Sequence, residues 1–152
     1  MKLIHAIGYG LLSVGIISLD QLSKWYALDH WQLREQINQF LSFELTFNRG
    51  ISWGFFHSAS NCLFTTVSLI IAAVTIGVAA LAVQRLKAGD CILGETLIVA
   101  GSISNIIDRV LYGGVVDFIS LSYGDWMWPL FNIADVAIVF GVLLMIWEQY
   151  KS

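Results

Sequence analysis

Residues Cys62 to Val83 read CLFTTVSLIIAAVTIGVAALAV, a run of 22 residues without a charged side chain. A helix rises about 1.5 Å per residue, so about 20 apolar residues cross a bilayer core of roughly 30 Å. This run therefore predicts a transmembrane helix. The chain as a whole is 57% hydrophobic and 12% charged, against about 25% charged in soluble domains. No linker or repeat divides it, so residues 1–152 are expected to form one membrane domain.

Three further apolar runs accompany this one, at Leu3–Leu19, Cys91–Ile107 and Leu130–Trp147. The last two are interrupted by one acid each, Glu95 and Asp135. The first run resembles a signal peptide, but no small-residue cleavage site follows it, so we interpret it as a retained helix. The pattern predicts an all-α membrane protein with four transmembrane helices.

The segment at about residues 37–56, between the first two runs, shows the alternation of a strand. Apolar and polar side chains alternate over Leu41–Phe47 and again over Ile51–Phe55, on either side of a turn signal at Asn48–Gly50. We predict a β-hairpin with one apolar face at the outer membrane surface, packed on the helices or the bilayer because isolated hairpins are unstable. A plain extracellular loop is the alternative.

The orientation in the membrane is less strongly indicated. With the amino terminus inside, four basic residues fall on each side, so the positive-inside rule does not decide by count. Arg85 and Lys87 crowd one short loop, which favours both termini in the cytoplasm. Most aromatic residues able to anchor at headgroups then lie at the outer face. They are Trp25, Tyr26, Trp31, Trp53, Tyr112, Tyr123, Trp126 and Trp128.

Acidic side chains in or beside the apolar runs are the best candidates for function, because removing them from water is costly. Asp117 and Asp135 have no basic residue within one helical turn, which favours a proton-handling role. Two such carboxyls placed together would share one proton. The ionised one would then activate water, and the neutral one would donate to a scissile carbonyl. This is the chemistry of an aspartyl peptidase, and it needs no cofactor.

Six other polar residues collect at the same depth: Asp20, Lys24, Asn105, Asp108, Arg109 and Asn132. For the four charged ones, structural ion pairs are the simpler interpretation, Asp20 with Lys24 and Asp108 with Arg109. Histidine and cysteine spacing gives no metal signature, and no metal site is expected. The two cysteines fall on opposite membrane faces in this topology, so they are not expected to pair.

Five short motifs follow one another along the chain. They are Asp20–Lys24 (DQLSK), Asn48–Gly54 (NRGISWG), Gly101–Arg109 (GSISNIIDR), Val115–Phe118 (VVDF) and Phe131–Asp135 (FNIAD). In their order and spacing they resemble the lipoprotein signal peptidase family, also called signal peptidase II. Each motif alone is weak, but five in order across four apolar runs are highly specific.

The resemblance implies that Asp117 and Asp135 form the catalytic dyad of an aspartic endopeptidase. It also implies a set of residues that shape or support the site: Asn105, Asp108, Arg109, Asn132, Asn48, Gly54, Asp20 and Lys24. The implied substrate is a prolipoprotein whose cysteine carries a diacylglyceryl group, cleaved before that cysteine at the outer face of the bacterial inner membrane. The hairpin would be the surface cradle for this substrate.

The expected partners are this diacylated precursor and membrane lipid. A net charge of −3 argues against nucleic acid, and a monomer is expected. Ser104 stands where the family usually has glycine, a small-for-small change expected to be harmless. Ile51 and Trp53 are bulkier than the usual residues and are expected to alter the substrate groove rather than the chemistry.

Two other classes of function stay open on the sequence. A proton-coupled transporter or channel subunit would use the same acids as a relay, although only Glu95 lies towards the inner side. A structural assembly factor of the membrane would not need either Asp117 or Asp135.

Overall fold

The computed structural model describes residues 2–50 and 60–151, which form four helices and a four-stranded antiparallel sheet. The helices are α1 (Lys2–His30), α2 (Asn61–Ala88), α3 (Leu93–Tyr112) and α4 (Ile133–Lys151). The strands are β1 (Glu35–Gln36), β2 (Leu41–Asn48), β3 (Val115–Tyr123) and β4 (Trp126–Met127), and they lie side by side in that order.

Three of these helices, α1, α2 and α4, are long and apolar enough to cross a membrane. In the most apolar stretch of each, at most 17% of the residues are buried inside the protein. Such outward-facing apolar surface suits a lipid environment. The prediction of four spans is therefore confirmed for three.

Helix α3, the remaining predicted span, differs in character because it lies at the centre of the fold. It packs against α1, α2 and α4, and its buried face carries Glu95, Asn105, Asp108 and Arg109. Protein rather than lipid surrounds this face, so the helix carries polar groups that partner side chains can satisfy.

Helix α1 continues to His30, well beyond the predicted end of the first span at Leu19. Asp20 and Lys24 therefore lie inside the helix, instead of ending it as predicted. A charge pair does not end this helix because both side chains are buried and paired, with Lys24 Nζ 2.6 Å from Asp20 Oδ2.

The predicted strand at residues 41–47 is confirmed as β2, but its long partner is β3 from a distant part of the chain. The register runs from Leu41 opposite Leu121 to Asn48 opposite Val115. The second arm of the predicted hairpin, Ile51–Phe55, lies outside the described residues. Alternation within one segment cannot identify a strand that pairs with it from far away.

Helices α3 and α4 approach each other closely because glycines face the partner backbone. A Cβ atom added at Gly101 would lie 2.5 Å from the carbonyl oxygen of Ala134, and one at Gly141 would lie 2.6 Å from that of Gly94. Small residues at such a contact let two helix backbones come together. This contact places the end of α3 beside the beginning of α4.

Candidate active site

Asp117 lies in β3 and is 2% exposed. Its two oxygens accept hydrogen bonds from different amides: Oδ1 from Asn132 Nδ2 at 2.7 Å, and Oδ2 from Asn48 Nδ2 at 3.0 Å. Burial, reinforced by the neighbouring carboxyl of Asp135, raises the pKa of Asp117 to about 7. The amide donors and Lys24 oppose this shift. Asp117 therefore changes its protonation state near neutral pH.

Asp135 lies in the first turn of α4 and is partly buried. Its Oδ1 accepts a hydrogen bond from Asn105 Nδ2 at 2.9 Å. Its backbone N–H donates to Asn132 Oδ1 at 2.9 Å, so Asn132 acts as the side-chain cap of α4. A cap of this kind fixes where the helix begins and hence the position of the Asp135 backbone, from which the carboxyl extends.

The side chain of Asn132 links the two acids. Its Nδ2 donates to Asp117, while its Oδ1 accepts from the backbone of Asp135. Asp117 and Asp135 also line one cleft of about 360 Å³ between the sheet and helices α2, α3 and α4. The other polar residues of this cleft are Asn48, Thr75, Ser102, Asn105 and Arg109. The structure thus brings the two candidate acids of the sequence into one pocket.

Lys24 forms a buried ionic cluster beside this cleft. It is 1% exposed, and its Nζ lies 2.6 Å from both Asp20 Oδ2 and Asp108 Oδ2. The predicted pair of Asp20 with Lys24 is therefore present. The predicted pair of Asp108 with Arg109 is not formed. Asp108 pairs with Lys24 instead, because α1 places the Lys24 ammonium against the inner face of α3.

The same ammonium reaches the candidate dyad through an amide. Lys24 Nζ donates to Asn105 Oδ1 at 2.8 Å, and Asn105 Nδ2 donates to Asp135. Since the oxygen of Asn105 faces a cation, its NH₂ group must face the carboxylate. Lys24 thus fixes the orientation of the amide that contacts Asp135.

Arg109 joins the end of α3 to the end of β2 by donating from its guanidinium to the carbonyl of Gly50. Asn48 Oδ1 accepts the backbone N–H of Gly50, which turns the chain after β2 and leaves Asn48 Nδ2 directed at Asp117. Gly54, the remaining predicted site residue, lies outside the described residues.

Sequence reasoning missed two contributors to this region. Gln21 Nε2 donates to Asp108 Oδ1 at 2.8 Å, and the hydroxyl of Ser104 donates to Asp20 Oδ2 at 2.7 Å. Both residues lie inside the five motifs, where Ser104 stands out only as a small-for-small change. Within residues 2–50 and 60–151, no cluster of three or more His, Cys, Asp or Glu side chains is placed to hold a metal ion.

Comparisons with known proteins identify the family of the chain. A family model described as signal peptidase (SPase) II matches residues 12–151. The lipoprotein signal peptidase of Polynucleobacter necessarius subsp. necessarius (strain STIR1) is 36% identical over an alignment of 157 residues. This alignment covers 100% of this chain and 94% of that protein. The lipoprotein signal peptidase of Geobacillus thermodenitrificans (strain NG80-2) is 35% identical, with 93% of this chain and 88% of that protein covered.

A solved structure shares the fold as well. It is described as a bacterial membrane enzyme determined by the in meso method at 2.3 Å resolution, and it superposes with a TM-score of 0.76 at 28% identity. The match covers 95% of this chain and 88% of that one. These comparisons confirm the family predicted from the five motifs and give no support to the transporter alternative. The chain belongs to the signal peptidase II family and is a peptidase of the bacterial membrane.

Proposed function

We propose that this chain is an aspartyl endopeptidase that removes the signal peptide from diacylglyceryl-modified prolipoproteins, cleaving before the lipidated cysteine. The observation that carries the proposal is the contact of Asn132 with both Asp117 and Asp135 at the wall of one cleft. The names of the relatives, lipoprotein signal peptidases, support the substrate class.

In this proposal Asp117 and Asp135 share one proton at neutral pH. We place this proton on Asp117, whose pKa burial raises to about 7, and treat Asp135, which accepts a hydrogen bond from Asn105, as the ionised partner. The carboxylate of Asp135 takes a proton from water as the water oxygen attacks the scissile carbonyl carbon. Asp117 donates its proton towards the carbonyl oxygen, where negative charge develops.

The tetrahedral intermediate then collapses with cleavage of the C–N bond. The departing amine, which becomes the amino group of the lipidated cysteine, takes a proton from the dyad. The carboxyl product retains the oxygen of the attacking water. Asp135 gives its proton to the amine, and Asp117 regains one from a hydroxyl of the intermediate as the carboxyl product forms, so each acid returns to its starting state.

The supporting residues have separate roles in this scheme. Asn48 and Asn132 orient the carboxyl of Asp117, and Asn105, fixed by Lys24, orients that of Asp135. Asp20 and Asp108 neutralise Lys24 in the interior. Arg109 holds the chain after β2 against the end of α3. These contacts limit the movement of the acids, and small displacements of reacting groups are costly in rate.

We further propose that α3 is a fourth span, that both termini lie in the cytoplasm, and that the site faces the outer side of the membrane. α3 has 20 residues, about 30 Å at 1.5 Å per residue. Exposed aromatic residues at the sheet, Tyr123 and Trp126, suit the headgroup region. Arg85 pairs with Glu95 and Glu148 at the opposite end of the bundle. The apolar wall of the cleft would receive the signal peptide, with the sheet as the surface cradle.

The decisive experiment incubates the purified full-length protein with a diacylated precursor and with its unlipidated twin. We expect cleavage of the first only, and loss of that cleavage in Asp117→Asn and Asp135→Asn while both variants stay folded in the membrane. Cleavage of both substrates alike would refute the lipid requirement. Turnover at the normal rate by either variant would refute the dyad.

A further inference from the structure

The hydroxyl of Ser104 lies between α1 and α3, at a position where the sequence predicted only a harmless small-for-small change. Ser104 is fully buried, at 0% exposure. Its Oγ donates to Asp20 Oδ2 at 2.7 Å and accepts from Gln21 Nε2 at 2.9 Å. A hydroxyl that both donates and accepts in the interior has its hydrogen-bonding capacity in use. The expectation that this serine merely replaces another small residue therefore misses its contacts.

Asp20 is the recipient of this hydrogen bond, and its other oxygen caps α4. Oδ1 of Asp20 accepts the backbone N–H of Ala134 at 2.8 Å, in the first turn of the helix. The first N–H groups of a helix lack partners within it, and a carboxylate there is favoured by the helix dipole. Asp135 directly follows Ala134 in the chain, so α1 holds the backbone from which Asp135 projects.

A second connection runs from Asp20 to Asp135 through side chains. Oδ2 of Asp20 is shared between the hydroxyl of Ser104 and the ammonium of Lys24. Lys24 in turn contacts Asn105, which donates to Asp135. If the hydroxyl were absent, Oδ2 would keep only the ammonium of Lys24, and the orientation of the Asp20 carboxylate would be held less firmly.

We propose that Ser104 is a positioning residue for the peptidase reaction, acting by holding Asp20 in the orientation that fixes the beginning of α4 and thereby Asp135. This inference rests on the proposed role of Asp117 and Asp135. Since a misplacement of about 1 Å can cost a hundredfold in rate, a partial loosening should lower kcat by about tenfold. KM should change by less than about twofold, because Ser104 does not line the cleft that would receive the substrate.

The test compares Ser104→Ala with wild type in the full chain, using the diacylated precursor at several concentrations to separate kcat from KM. Ser104→Gly serves as a second variant because it also lacks the hydroxyl but differs in helix preference. The matched control is Ser68→Ala, which removes a hydroxyl that donates to Phe64 within its own helix. We expect both Ser104 variants to lose kcat equally and the control to keep it.

A wild-type kcat in Ser104→Ala would overturn the inference. So would an equal loss in Ser68→Ala, or a loss explained fully by a smaller folded fraction in thermal unfolding. Failure of the wild-type chain to cleave the precursor, or normal turnover by Asp117→Asn, would instead overturn the proposed function and this inference with it.

Discussion

Asn132 and Asp117 are joined by a hydrogen bond of 2.7 Å between the side-chain amide of Asn132 and Oδ1 of Asp117. The oxygen of the same amide accepts the backbone N–H of Asp135. Asn132 is fully buried, so water cannot easily replace either contact. A single side chain therefore connects strand β3 with the beginning of helix α4.

Replacement of Asn132 by alanine should lower kcat by about a hundredfold, because it releases both acids from their common neighbour. Single-turnover cleavage of the diacylated precursor would measure this loss without interference from product release. Asn61→Ala is a matched control, since Asn61 is exposed and its side chain accepts only from Arg49 among the hydrogen bonds described. Comparable rates in Asn132→Ala and wild type would show that the contact does not organise the site.

Activity should decline as the pH rises through about 7. In the proposed mechanism Asp117 keeps its proton below its raised pKa of about 7, and once that proton is lost Asp117 has none to donate to the carbonyl oxygen. The sign follows because a raised pKa prolongs the protonated, active form to higher pH. Initial rates of kcat/KM from about pH 5 to 9 would locate this alkaline limb. A profile that stays level through pH 8 would contradict the assignment of the proton to Asp117.

The close approach of α3 and α4 should not tolerate a methyl group at Gly101. A Cβ there would lie 2.5 Å from the carbonyl oxygen of Ala134, so Gly101→Ala should separate the helices and destabilise the protein by about 1–3 kcal/mol. Thermal unfolding in detergent would measure the change, and cleavage should fall as Asn105 moves away from Asp135.

Gly77→Ala is the control for this substitution, because nothing lies within 4 Å of a Cβ added at Gly77. It should be neutral or slightly stabilising, since alanine favours the helix more than glycine does. Equal melting temperatures for the two variants would mean that the backbone contact at Gly101 is unimportant.

Removal of the buried ammonium should be the most damaging change to stability. Lys24→Met leaves Asp20 and Asp108 in the interior without their shared cation, and breaking a buried pair costs about 3–5 kcal/mol. The double variant Lys24→Met with Asp108→Asn should recover part of this loss, because one uncompensated charge is removed. Chemical unfolding of the single and double variants would show it, and the absence of any recovery would argue against the pairing.

Local features of the sequence predict the membrane class, three of the spans and the family correctly. Hydropathy is a property of each segment, so an uncharged run such as Cys62–Val83 indicates its helix before any packing is known. The two candidate acids were also proposed from local sequence, because neither Asp117 nor Asp135 has a basic residue within one helical turn. The alternation at residues 41–47 predicted a strand for the same reason.

The partners of these residues depend on packing between distant segments of the chain. The pairing of β2 with β3, the choice of Lys24 over Arg109 as the partner of Asp108, and the bond of Ser104 to Asp20 join residues far apart in the chain. Periodicity along one segment carries no information on which other segment will lie against it. The contacts form because Gly94, Gly101 and Gly141 set the distance of α3 from α4. Burial then leaves each polar group only the partners that packing brings within reach.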